Sequence, residues 1–164
     1  MGKSHRSVTT VLAVMGAALG LAGCGGDDAP QLTKSEFIER GNAICAETTR
    51  QIDEGAATAF TEQGVIPPAE EITQFAGETV APQVSEELDE LEELRPPEED
   101  VERIDDMIQA GRDGVDDVRE DPTVLLSSSD DGLARYRELA SAYGLAGCGG
   151  ISPETRNKIA GIGG

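Results

Sequence analysis

From Thr33 to Tyr143 apolar residues recur at three- and four-residue intervals, and no stretch alternates singly as a half-buried strand does. The first stripe is Ile38, Gly41, Cys45, Thr48, Ile52, Gly55 and Ala59, with Phe37 and Ile44 beside it. That spacing predicts a helix packed on one side. Thr33 with Glu36 three residues on is a capping box that opens it. A second stripe (Ile72, Phe75, Ala76, Val80, Val84, Leu88, Leu91, Leu94) contains Pro82, which must kink or split the helix because it removes a backbone donor. Arg95-Pro96-Pro97 stops it. The third stripe starts around Glu98 and runs through Val101, Ile104, Ile108, Gly111, Val115 and Val118 to Asp121-Pro122. A fourth helix is expected from about Asp130 to Tyr143, with Leu133, Tyr136, Leu139, Ala140 and Tyr143 inward. Gly144 followed by Leu145 reads as its left-handed cap and hydrophobic contact.

Short connections between such helices predict an all-α fold, an antiparallel up-down bundle of about four helices, the second kinked at its proline. The bundle domain spans residues 33–150. Residues 151–164 are expected as a flexible tail, in which Ser152-Pro153-Glu154 could open a short turn of helix.

Ahead of the bundle the pattern changes. Lys3, His5 and Arg6 precede an apolar run from Val8 to Leu21, which reads as a secretory signal peptide too short to span a membrane. Leu21-Ala22-Gly23-Cys24 resembles the lipobox of bacterial lipoproteins. The resemblance implies cleavage after residue 23, a diacylglyceryl group on the Cys24 sulfur and palmitate-type acylation of that residue. Residues 24–32 then form a lipidated, flexible tether, and the domain faces outward from the cell membrane. The six residues Leu145 to Gly150 repeat Leu-Ala-Gly-Cys-Gly-Gly, but charged Arg135, Arg137 and Glu138 precede them, so this copy is no processing site.

Processing at that point would remove Lys3, Arg6 and the only histidine, leaving 11 basic against 32 acidic residues and a formal net charge of −21. Such a chain is unsuited to nucleic acid and to anionic lipid headgroups, so attachment falls to the acyl chains. The acidity suits solubility or salty surroundings; a cationic partner is the sharper alternative. Cys45 and Cys148 remain as an even pair, which in an oxidising exterior predicts a disulfide. Closing roughly a hundred residues, it contributes about 4 to 5 kcal/mol in the chain-entropy model. Two free thiols or a metal pair are the rival, although no histidine is left to complete a zinc site.

Ser35-Glu36-Phe37-Ile38, Asn42-Ala43-Ile44-Cys45, Leu91 to Pro97 and Tyr143-Gly144-Leu145 running to Cys148 resemble small lipoproteins of high-GC actinobacteria. That resemblance implies fold, location and the cysteine pair, and no activity. Without histidine, Ser-His-Asp and Cys-His catalysis and bundle di-iron sites are excluded. No phosphate-binding loop is present. A carboxylate hydrolase would need two converging acids, and most of the few aromatics lie on core stripes. Glu86 to Leu94 reads as acids on every outward position of one helix, with a second strip at Asp113, Asp116, Asp117, Glu120 and Asp121. A straight helix cannot wrap calcium, and Asp130-Asp131-Gly132 lacks the calcium-loop ligands. The expectation is therefore a non-enzymatic lipoprotein without catalytic residue, metal or cofactor. It acts through an envelope partner or as a structural envelope component; the alternative is a small-ligand or cation-binding lipoprotein using the acidic helix faces.

Overall fold

The structure is a computed structural model that describes residues 31–62, 64–126 and 131–161. Cys24, the signal segment and residues 24–30 of the tether lie outside the described residues. All regular structure among the described residues is helical. The helices are α1 (Lys34–Ala59), α2 (Ala69–Phe75), α3 (Ala81–Glu93), α4 (Val101–Glu120), α5 (Ala134–Tyr143) and α6 (Pro153–Ile159). A π-helical turn, Ala76–Val80, joins α2 to α3 without a break, and 3₁₀ turns occupy Glu98–Asp100 and Pro122–Leu126. Counting α2 through α3 as one rod, there are five rods among the described residues where about four were expected.

The π turn is the chain's answer to Pro82. In an α-helix the proline ring would press on the carbonyl four residues back, that of Glu78. Instead the ladder widens just before it, and the Ala81 N–H reaches the Ala76 carbonyl, five residues back. The rod is neither ended nor divided there.

At the start of α1 the capping box closes as expected. Glu36 N–H donates to Thr33 Oγ1 at 3.3 Å, and Thr33 N–H to Glu36 Oε2 at 2.9 Å. The stripe that α1 buries is Phe37, Gly41, Cys45, Thr48, Ile52 and Ala56. Ile38 and Gly55 are half-buried and Ala59 is exposed, so the face is rotated slightly from the predicted one. α5 begins at Ala134, later than expected. It ends in the anticipated manner: Gly144 has φ 113°, its N–H reaches Ser141 O at 3.1 Å, and Leu145 N–H reaches Ala140 O at 2.9 Å. This is the full Schellman pairing, with Leu145 buried behind it.

α1 packs on α3 and α6, α3 on α4, and α4 on α5. Their buried side chains form one contiguous core. At one end the start of α1 meets three other elements. Leu32 N–H bonds to Arg95 O at 2.8 Å, Tyr143 Oη donates to Asp100 at 2.8 Å, and the Phe37 and Tyr143 rings meet edge to face with centroids 5.7 Å apart.

Two expectations are corrected. Glu87 is not outward: it is 1% exposed, on the same face as Val84, Leu88 and Leu91. Residues 151–161, expected as flexible tail, instead carry α6, with Ile151, Thr155 and Ile159 buried. Ser152 caps α6 by accepting from Thr155 N–H at 3.1 Å, and Asp53 of α1 accepts from both the Ser152 and Thr155 hydroxyls at 2.6 Å.

Candidate functional site

The most chemically unusual region lies where α1 receives the segment Leu145–Gly150. Asn42, Cys45 and Thr49 fall on one line of α1 and hold that segment in succession. Asn42 Oδ1 accepts from Ala146 N–H at 2.6 Å. Cys45 and Cys148 form a disulfide across 103 positions, with Cα atoms 4.5 Å apart. The Thr49 hydroxyl lies 3.0 Å from Cys45 O and 3.1 Å from Gly147 O, with one proton to share between them. Gly149, at φ 57°, lets the backbone turn beneath Tyr136, where a Cβ would stand 2.5 Å from that ring's Cδ1.

Beside the disulfide sits Glu87. Its Oε1 accepts from Gly149 N–H at 2.7 Å and from Tyr136 Oη at 2.9 Å. Its Oε2 is buried and has no hydrogen-bond partner. Burial raises the Glu87 pKa above the ordinary carboxylate value, against the opposing pull of the Gly149 N–H, the Tyr136 hydroxyl and Thr48. Burial also pushes the Tyr136 phenol up, and the adjacent Glu87 adds to the effect, so Tyr136 stays a neutral donor. The two sulfurs and a Glu87 carboxylate oxygen all lie within 4.8 Å of one another. With the sulfurs bonded to each other, neither offers a thiolate to a cation.

A second polar knot adjoins the first. Asp131, 1% exposed, accepts from Arg137 of α5 at 2.7 Å and Arg156 of α6 at 2.9 Å, and its Oδ1 also takes Leu133 N–H at 3.3 Å near the start of α5. Burial opposes ionisation of Asp131, but the two guanidinium groups outweigh it and hold its pKa below the ordinary range. Arg137 also reaches Gly149 O at 3.4 Å, which links the two knots.

On the outside, a groove of about 470 Å³ runs between α1 and the α2–π segment. Glu54, Glu71 and Glu78 rim it, with Gly55, Ala59 and Phe75 among its apolar lining. Part of that acidity is spoken for. Arg50 pairs with Glu54, and Gln74 donates to Glu78 at 3.0 Å. The two acidic strips are likewise interleaved with arginine: Arg112 pairs with Asp89 and Glu92, and Arg119 with Asp116.

Of the residues singled out in the sequence, Cys45 and Cys148 are brought together and Cys24 lies outside the described residues. Glu87 and Asp131 were missed as buried groups. For Glu87 a signal existed, since it stands three residues after Val84 and four before Leu91 on the apolar stripe. For Asp131 none did, because its partners come from two later helices. No protein-family model, curated protein or solved structure matches the chain.

Proposed function

We propose that this chain is an extracytoplasmic lipoprotein, held to the cell membrane by acyl groups on Cys24 and acting without catalysis, through protein contacts or as a structural part of the envelope. The observation that carries the location is the buried Cys45–Cys148 disulfide, a cross-link that persists where thiols are not kept reduced. Anchoring through Cys24 rests on Leu21-Ala22-Gly23-Cys24 and on the resemblance to small actinobacterial lipoproteins. No helix among the described residues is long and apolar enough to cross a membrane. The finer architecture belongs to the same reading: an antiparallel up-down bundle, favoured by the start of α1 lying beside the end of α3 and the end of α5.

The test is Cys24→Ser in the full chain. The expected result is transfer from the membrane fraction to the soluble one, with loss of the acyl mass by mass spectrometry. Retention in the membrane overturns the anchor.

The groove beside α2 favours a second reading, a cation-binding lipoprotein, because three carboxylates rim an apolar trough. Calorimetric titration with calcium and with spermidine separates the two. Absence of heat and of any shift in melting temperature discards the second.

A further inference from the structure

The disulfide and Glu87 form a unit that a purely structural cross-link does not need. A buried carboxylate oxygen without a donor is costly, because its hydration is lost and nothing replaces it. Glu87 Oε2 is such an oxygen: the nearby Thr48 hydroxyl, which helps to lower the Glu87 pKa, donates to Ile44 O at 3.3 Å, and both cysteine sulfurs lie within 4.8 Å of a Glu87 carboxylate oxygen. A disulfide has no hydrogen to give. A thiol does, as a weak donor. We propose that Glu87 couples the redox state of the Cys45–Cys148 pair to proton binding, the dithiol form offering the carboxylate a further donor that the disulfide form lacks.

The chemistry balances with an external dithiol as reductant. Its two thiols pass two electrons and two protons to the pair and join as a disulfide; the Cys45–Cys148 bond breaks, and each sulfur gains one S–H. No net proton is released while Glu87 keeps its protonation state. An S–H donor favours the carboxylate form, so Glu87 holds its proton less tightly beside the dithiol. Between its pKa in the two forms, reduction therefore releases a proton. By linkage, the ratio of reduced to oxidised protein rises with pH across that window, by up to about tenfold per pH unit.

The surroundings leave Glu87 as the group responsible. From α5 it meets Tyr136, which stays neutral. From α1 it meets Thr48 and Cys45, and from the following loop the Gly149 N–H. On its own helix Glu90 adds a like charge. α4 sends Arg112 to Asp89 and Glu92, and Arg119 to Ser85, on the exposed side of α3. Arg137 reaches it only through the Gly149 peptide. The inference concerns the domain and is independent of how the chain is anchored.

The experiment equilibrates the full chain with dithiothreitol and its disulfide at a fixed ratio, from about pH 5 to 7.5, below the range where thiols ionise. Reduced and oxidised protein are quantified after alkylation, and circular dichroism reports folding. The expected result is a reduced fraction that rises with pH in the wild type and stays flat in Glu87→Gln. A flat wild-type profile overturns the proposal, as does the same rise in the variant. So does unfolding of the reduced wild type at every pH. Should Glu87→Gln fail to fold, the Glu87 carboxyl is titrated by ¹³C NMR in oxidised and reduced wild type. A lower pKa in the dithiol supports the coupling, and an unchanged one overturns it.

Discussion

Arg156 of α6 donates from Nη1 to Asp131 Oδ2 at 2.9 Å, while Arg137 of α5 holds the other oxygen of the same carboxylate at 2.7 Å. One buried acid thus ties the last helix to the one before it. Asp131→Ala removes the partner of both guanidinium groups and the acceptor of Leu133 N–H. Breaking a buried pair costs about 3–5 kcal/mol, and the lower end applies because both arginines keep contact with solvent. Arg156→Ala leaves Arg137 in place and should cost about 1 kcal/mol. Urea unfolding of the two variants checks both the sizes and their order.

The same acid sets a direction with pH. Its folded-state pKa is depressed, so its contribution is present above the ordinary value of 3.8 and is lost as pH falls through the lower folded value. Glu87 runs the other way. Its folded pKa is raised, so the folded state is favoured most below the ordinary value of 4.5 and loses that advantage as pH rises through the folded one. Glu87→Gln, of nearly equal shape, should therefore gain on the wild type as pH rises above 4.5. Asp131→Asn should lose most at neutrality and recover relative to wild type below pH 4. Unfolding curves at several pH values would show opposite slopes for the two differences; parallel slopes would contradict the assignment.

Cys45→Ser and Cys148→Ser remove the same cross-link, so each should cost about 4 to 5 kcal/mol, with the double variant little worse than either single one. Fully additive losses would mean that the two sulfurs act separately. Thermal melting of the three variants, all under oxidising conditions, makes the comparison.

Two glycines should respond oppositely to alanine. A Cβ on Gly114 would stand 2.4 Å from the Gly132 carbonyl oxygen, a backbone atom that cannot swing aside. Gly114→Ala should cost about 1–3 kcal/mol despite its better helix propensity. Gly77 has nothing within 4 Å of that position, and Gly77→Ala should stabilise by about 0.5–1 kcal/mol. Melting temperatures moving in opposite directions are the expected outcome.

What could be read from the residues follows the range of the forces involved. Capping of α1 by Thr33 and Glu36, and closure of α5 by Gly144 and Leu145, depend on near neighbours, and both were legible. So were the apolar faces of the rods, because packing demands a 3.6-residue period. Pro82 announced a disturbance but not its form, since a π turn and a break remove the same clash. Of α6 only the opening at Ser152-Pro153-Glu154 was legible, because its buried set is small, just Thr155 and Ile159 within the helix. Its anchors, Asp53 and Asp131, are distant in the chain. Glu87 shows the limit most sharply: a glutamate amid glutamates reads as solvated surface until its position on the Val84–Leu91 face is weighed against its charge.

The line of attachments along α1 has a mechanical consequence. Tension applied between the residues before α1 and those after Gly150 would be borne at Cys45 and Cys148, because a covalent link there short-circuits everything between them. The first turns of α1 could unravel, about 3.3–3.6 Å for each residue pulled straight. The rods α2 to α5 would stay slack inside the closed ring, sheltered from the pull until the sulfurs part.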